Sequence, residues 1–537
     1  FSKRINNFGL QAFEGQFLRT LDTIYFTRFR DKNTGEIDVS RMAIFTYNGR
    51  LAIKPRVLEM QNYLEIDSRF SEKNLEKTYL SLLQLNLFEV VKTDIKETET
   101  ACLDAHYYLI PSKKQSFSFE PKATNSNGFL GVAATINYTN KNLFRGAEKL
   151  TLSFSGGFES QPAIFDETID GDKIQTAGRS FNTFEIGPSA SLEIPGIFPL
   201  RMSNFSKKLR PKSVISSNYN FQRRDDFTRG TLQLSYIWKF FASKTMIFQS
   251  GIPGASVIKY VNISKSPEFE SKLVSLNDLF LLNSYSNQFI WQDWKFTFEY
   301  NIREKENRKG NAQVYFKSSF DPAGNIFALF KKYQDTLDNG QKAIFGIGYS
   351  QFARIDNELI LAKPLRKEKS LNFKVDIGGG LPYGNTATSL PYDYSFFGGG
   401  ANDIRGWRAR ALGPGSYKYY LDLNRTATQI GDIGLSASAE FRFPISSLVK
   451  SAIFVDAGNI WTIFEDVNRP GGQISTNWFK EIAVAAGVGL RLDLDFFIVR
   501  VDLGIPIMNP ALPQGAQWIW QSRQPYYDEG IAVFGDP

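Results

Sequence analysis

The chain has almost none of the residues from which disulfides and metal sites are built: its 537 residues include one cysteine, Cys102, and one histidine, His106. A single thiol cannot form an internal disulfide, and a metal centre made of Cys and His ligands is excluded for the same reason. Long apolar runs are missing as well. Nothing approaches the roughly 18 to 20 uninterrupted apolar residues of a membrane helix, so helical spanning is excluded. The Gly-x-Ser-x-Gly elbow of a serine hydrolase does not occur. His106 lies in a strand-like stretch with no companion to build a site, which predicts a structural role, and Cys102 reads as a small apolar residue at a strand edge. No enzymatic activity, cofactor or metal is expected. The chain opens at Phe1 without an initiator Met, a signal-peptide core or a lipidation cysteine, which predicts a natural N-terminus further upstream.

Aromatic residues, by contrast, are abundant. They make up 15% of the chain, with 47 Phe, yet mean hydropathy is −0.27. A sequence rich in Phe and Tyr but polar on average suits a lipid-facing β-barrel, whose strands alternate an apolar outer residue with a polar inner one. The net charge of +8 is scattered and forms no basic stripe, which argues against nucleic acid as a partner.

Periodicity divides the chain near residues 111–116. Before that point, Met42–Asn48 reads as a strand and Pro55–Ile66 as a helix. Ser71 caps a second helix carrying Leu75, Tyr79, Leu82 and Leu83, and Phe88–Ile95 and Asp104–Ile110 follow as strands. This order predicts a compact α+β unit over residues 42–114. Residues 1–41 are less regular and read as the remnant of another such unit.

From residue 115 to 537 the sequence is a succession of alternating segments. Leu435, Ala437, Ala439, Phe441 and Phe443 share one face, and Ser436, Ser438, Glu440 and Arg442 the other. A soluble sandwich alternates too. Here, however, the polar faces mix both charge signs with small residues, and the apolar faces end in aromatics, as lumen and lipid faces do. The expected fold is mainly β: a transmembrane antiparallel barrel of about sixteen strands behind a small α+β domain. The expected strands run from Ser116–Asn125 to Gly530–Pro537 and include Ala343–Ala353.

One connection, residues 382–432, is far longer than a hairpin loop. It carries Gly399, Gly400, Ile404, Arg405, Gly406 and Trp407. A guanidinium held away from water needs a carboxylate. Parity puts Glu440 on the lumen face and, with Ile453, Val455 and Ala457 outside, Asp456 on it as well. A loop folded into the lumen would bring Arg405 to both; an extracellular loop with an incidental Arg is the alternative at this level.

The run Ile404-Arg405-Gly406-Trp407 resembles the V/I-R-G-F/Y/W signature of the BamA/TamA superfamily of outer-membrane assembly and translocation proteins. Further resemblance lies in Glu440-Phe441-Arg442-Phe443-Pro444, Phe454-Val455-Asp456-Ala457-Gly458-Asn459-Ile460-Trp461, Gly487-Val488-Gly489-Leu490-Arg491 and Arg500-Val501-Asp502-Leu503-Gly504. The segments Thr124-Asn125-Ser126 and Asn142-Leu143-Phe144-Arg145-Gly146, with the extended Arg405 loop, most resemble the TamL-like branch.

The resemblance implies a barrel in the outer membrane of a Gram-negative bacterium, with residues 42–114 as a periplasmic POTRA-like domain. It also implies a loop inside the lumen, its Arg405 held by Glu440 and Asp456. The function it implies is templated folding of client outer-membrane proteins at a weak seam between the first and last strands. That seam is expected at Ser116, Phe117 and Phe119 against Val533, Phe534 and Gly535, with Gly535 and Pro537 weakening it. Unfolded outer-membrane clients, the lipid bilayer and accessory subunits are the implied partners. A two-partner-secretion pore for one dedicated substrate shares every motif. A passive porin leaves the α+β unit and the Arg405 loop unexplained. The family usually carries several POTRA domains and ends on an aromatic residue, whereas one such unit is legible here and the sequence stops at Phe534-Gly535-Asp536-Pro537.

Overall fold

The structure, a computed structural model, describes residues 5–12, 23–26, 43–47, 52–64, 68–97, 103–126, 129–160, 182–200, 209–243, 245–276, 279–302, 312–337, 340–386, 388–421, 429–494 and 498–534. The chain divides into two compact units. One comprises residues 1–120, 135–154 and 189–216, and the other comprises the remainder.

In the first unit, β1 (Ile5–Ala12), β2 (Thr23–Phe26), β3 (Ala43–Tyr47), β4 (Phe88–Glu97) and β5 (Leu103–Pro111) form a sheet in the order β2-β3-β1-β5-β4. Helices α1 (Pro55–Gln61) and α2 (Glu72–Gln84) lie between β3 and β4 in the chain. Pro55 occupies the first turn of α1, where its missing N–H costs nothing. Ser71 caps α2, its side chain accepting from the Asn74 N–H at 3.4 Å. Alternate residues of β5, namely Ala105, Tyr107 and Leu109, are buried in one core with Val57, Leu58 and Leu82. Each buried Val or Leu among them contributes about 2 kcal/mol.

One expectation changes here: β1, within residues 1–41, is not part of a separate unit, because it runs parallel to both β3 and β5 and sits between them. The pairing is non-local, joining residues 5–12 to residues 103–109, which the short alternation of Phe8, Leu10 and Ala12 does not announce. His106 is half-buried on β5, opposite Asp94 of β4, and Cys102 lies outside the described residues.

The turn at residues 141–148 belongs to this unit. Asn142 Nδ2 donates to the Ala52 carbonyl at 2.9 Å, and the Lys54 N–H donates to the Arg145 carbonyl at 2.7 Å. Within the turn the Glu148 carboxylate accepts from the backbone of Phe144 and Gly146.

From residue 115 the chain forms a closed barrel. Its strands are β6 (Gln115–Ser126), β7 (Phe129–Asn140), β8 (Lys149–Glu159), β9 (Thr183–Pro195), β10 (Lys212–Arg223), β11 (Phe227–Phe241), β12 (Met246–Gly251), β13 (Val257–Lys265), β14 (Gln288–Gln292), β15 (Phe296–Asn301), β16 (Gln313–Ala323), β17 (Asp335–Thr336), β18 (Lys342–Ile344), β19 (Ile347–Tyr349), β20 (Phe352–Pro364), β21 (Ser370–Pro382), β22 (Ile433–Pro444), β23 (Val449–Trp461), β24 (Ala483–Asp493) and β25 (Ile498–Met508). Neighbours follow chain order, and β25 lies next to β6 where the sheet closes. No helix among the described residues is long and apolar enough to cross a membrane.

Two spans are broken strands. β12 and β13 both pair with β11, and β14 and β15 pair back onto them, so the two interruptions lie side by side. Helices α3 (Pro267–Leu276) and α4 (Leu279–Ser284) fill the connection from β13 to β14, and α5 (Asn325–Leu329) follows β16.

The expected strand Ala343–Ala353 is replaced by the short β18 and β19, and β20 pairs with β16 along its length instead. The alternation of β20 is broken by Asn357 and Ile360. Pairing places Asn357 beside the lipid-facing Ile377 and Ile360 beside Lys374.

The expected last strand, Gly530–Pro537, is also replaced over its described residues 530–534. Residues 524–534 form helix α6 (Gln524–Phe534), which contains Val533 and ends at Phe534. Val533 and Phe534 lie in this helix and form no strand edge, and Gly535 lies outside the described residues. Pro525 suits a first helical turn, and Gln524 Nε2 bonds Asp528 Oδ1 one turn on at 2.7 Å. The helix is held by Glu529, which accepts from Lys418 and from Tyr420, and by the Tyr420 and Tyr526 rings 4.8 Å apart. The last barrel strand is β25.

Candidate functional site: the lumen loop

The connection from β21 to β22 turns back along the inner wall. Its two limbs are joined by bridges between Phe396 and Gly431 and between Gly398 and Leu412. Strand glycines make room for it. A Cβ at Gly378 would lie 2.3 Å from the Phe396 ring, and one at Gly380 would lie 2.5 Å from Leu390.

The tip is tightly wound. Gly399 and Gly400 have φ of +91° and +111°, a region that favours glycine. The Gly400 N–H donates to the Trp407 carbonyl at 2.9 Å, and the Gly399 N–H donates to Asp403 Oδ2 at 2.8 Å. Ile404 and Trp407 are buried with Leu412, Ala483 and Ala485. Gly406 passes so close to β24 that a Cβ there would sit 2.7 Å from that of Ala485.

This winding leaves Arg405 pointing at three strands. Nε donates to Asp456 Oδ2 at 2.8 Å, and Nη2 donates to Asp456 Oδ1 at 2.7 Å and Ser438 Oγ at 3.2 Å. Nη1 donates to Glu440 Oε2 at 2.9 Å and Asp502 Oδ2 at 3.3 Å. Every one of the five guanidinium N–H groups therefore has an acceptor. The backbone N–H of Arg405 adds a bond to Asp456 Oδ2 at 3.1 Å.

The acids are shared with other cations. Glu440 Oε1 accepts from Arg442 at 2.6 Å and Arg491 at 2.7 Å, and Asp502 accepts from Arg500 Nε at 2.7 Å. Three carboxylates and four guanidinium groups thus interlock with one cation in excess; Arg405, Glu440 and Asp456 are buried, while Arg442 and Arg500 lie at the exposed rim. Such an arrangement is rigid, because removing one partner strands a buried charge. Its chemistry is structural. Among the described residues no group of His, Cys, Asp and Glu could hold a metal ion.

A second tether holds the loop elsewhere. Asp393 accepts from Arg229 Nη2 on β11 at 2.7 Å and Lys259 Nζ on β13 at 2.6 Å. Burial would push the Asp393 carboxyl up, but the two cations hold it below its ordinary range. At the end of the loop Asp432 accepts from the Leu390 N–H at 2.9 Å and the Ile463 N–H at 3.1 Å. Burial pushes its carboxyl up to about 6.

Parity had reached Glu440 and Asp456, and it also puts Asp502 on the inner face of β25. Ser438 and Phe454 carried no separate signal. The Asp393 tether escaped altogether, since nothing in the local sequence couples it to cations more than a hundred residues earlier.

The Omp85 superfamily domain matches residues 134–521, most of the chain. This chain belongs to the Omp85 superfamily. With its closed barrel, this Omp85 chain is a protein of the Gram-negative outer membrane.

A curated relative is the outer membrane protein assembly factor BamA of Neisseria meningitidis serogroup B, 31% identical over 103 residues. The alignment covers 18% of this chain and 12% of that protein. The structure of BamA from Haemophilus ducreyi lacking POTRA domains 1-3 matches 93% of the chain with 88% of its own. Its TM-score is 0.55 and its identity 13%, a likeness of fold. CdiB from Acinetobacter baumannii covers 95% and is itself covered over 87%, with 12% identity and a TM-score of 0.49.

Proposed function

We propose that this Omp85 chain assembles client proteins into the outer membrane, receiving a client strand where β25 meets β6. The observation that carries this reading is the loop held against two separate parts of the wall. Arg405 is pinned on β22, β23 and β25, and Asp393 on β11 and β13, with β14 to β16, β20 and β21 between them. A lumen crossed in this way is braced and obstructed, which suits a scaffold better than a passive pore.

The closing strands support a weak seam. Each contains a proline, Pro121 in β6 and Pro506 in β25, and proline cannot donate to a ladder. Phe117 on β6 is 75% exposed, and Val501 and Leu503 on β25 are 63% and 64% exposed. Ser116, Phe117 and Phe119 of β6 remain part of the proposed seam, with β25 in place of the last strand. In the first unit β4 is an edge strand with Val90 exposed, and it suits strand addition by an unfolded client in the periplasm. Accessory subunits at that POTRA-like unit are part of the same proposal, and no catalysed reaction is assigned.

Depletion of the protein followed by a survey of the outer-membrane proteome tests this reading. The expected result is loss of many barrel proteins. Loss of one exported substrate alone would point to a dedicated translocation pore.

A further inference from the structure

The connection between β16 and β20 carries α5 onto the lipid side of the wall and rejoins the wall at β19, which pairs with β14. On β13, Lys259 reaches the lumen loop through Asp393, and its partner Ile290 on β14 is buried with Leu390 of that loop. Both therefore face inward, and Phe289 and Trp291, one residue to either side of Ile290, face outward. Phe327 of α5 packs on this outer face. Its ring centroid is 4.8 Å from Trp291, 6.4 Å from Phe289 and 5.4 Å from Tyr349. The root is fixed by Asp293, whose carboxylate accepts from the Asn325 N–H at 2.8 Å and the Ile326 N–H at 3.1 Å.

Beyond this anchored ring the segment presents apolar side chains to the outside. Leu329 is 79% exposed and Phe345 89%, with Phe330 and Tyr333 also exposed. Phe345 and Gly346 form the two-residue turn between β18 and β19, with φ of 53° and 73°. Such turns favour Asn-Gly, and a bulky Phe at positive φ is disfavoured. Phe345 thus holds a strained backbone and a ring that is 89% exposed among the described residues.

We propose that residues 324–337 and 340–346 form a lateral foot that enters the outer leaflet of the bilayer beside the barrel. The lipid leaflet is the occupant because the apolar cluster continues the lipid-facing wall through Phe289 and Trp291. The chemistry fits the boundary between headgroups and acyl chains. Lys331 and Lys332 separate Phe330 from Tyr333, and basic residues beside aromatics suit a phosphate-bearing interface. The foot would fix the height of this wall in the membrane at a place where β14 and β15 are interrupted.

The test uses the full chain with Cys102→Ser, into which Phe345→Cys, Phe330→Cys or, as a wall control, Ile377→Cys is introduced and labelled with an environment-sensitive fluorophore. Proteins with unchanged heat-modifiable gel mobility are reconstituted into phosphatidylcholine–phosphatidylglycerol vesicles. Nitroxide carried near the top of the acyl chain is expected to quench the labels at 345 and 330 as strongly as at 377, with iodide quenching them weakly. Strong iodide quenching at 345 and 330, with lipid quenching confined to 377, would place the segment in water and overturn the proposal. Protection from both quenchers would mean that protein covers it, and would overturn it equally.

Discussion

The guanidinium carbon of Arg405 lies 3.3 Å above the centroid of the Phe454 ring. Phe454 and Asp456 share the inner face of β23, so the same strand supplies both the plane beneath the cation and the carboxylate at its edge. Behind the ring is Gly487 of β24, where a Cβ would fall 2.4 Å from Phe454 Cζ.

Replacing Arg405 with Ala leaves Asp456 buried without its main partner, which is expected to cost about 3–5 kcal/mol. Arg405→Lys should lose nearly as much, because one ammonium cannot stack on the ring and fork to several acceptors. The temperature at which folded gel mobility is lost checks both. A variant as heat-resistant as the parent would show that the brace is dispensable.

Gly504→Ala should displace the loop by another route. Its Cβ would stand 2.5 Å from the Arg405 carbonyl oxygen, a clash expected to cost about 1–3 kcal/mol. Gly379→Ala, whose nearest neighbour is 4.0 Å away, serves as the neutral comparison in the same melting experiment.

Much of this site was legible because a barrel strand encodes its two faces in alternate residues. Parity alone put Glu440, Asp456 and Asp502 on the inner wall, and the length of the β21–β22 connection pointed to the loop. Alternation failed where it was locally broken or imitated. Asn357 and Ile360 hid β20, and Gly530-Ile-Ala-Val-Phe imitated a strand although Pro525 and the Glu529 contacts make it a helix. Parallel insertion of β1 and the Asp393 tether depend on residues distant in sequence, which no local pattern records.

Asp432 should make the protein less stable as pH rises. Its folded carboxyl, near 6, lies above the ordinary 3.8, so the folded state binds the extra proton between those values. Stability is therefore highest at low pH, falls through this window and is flat above it, by about 3 kcal/mol at most. Comparing thermal midpoints of the parent and Asp432→Asn from pH 4 to 7 isolates the effect. A difference independent of pH would contradict it.

Asp393 has the opposite sign. Its lowered carboxyl contributes stability that is fully present above the ordinary value of 3.8 and is lost as pH falls from there through the lowered folded value. Asp393→Ala should release one end of the loop at neutral pH while leaving the Arg405 cluster intact. Conductance in planar bilayers is expected to show larger or more frequent openings than the parent, and an unchanged trace would mean that this tether does not hold the lumen closed.

The central claim is that client strands enter where β25 meets β6. In a Cys102→Ser background, a disulfide between these two strands should stop client assembly in reconstituted vesicles, and reduction should restore it. Full assembly by the cross-linked protein would contradict the account.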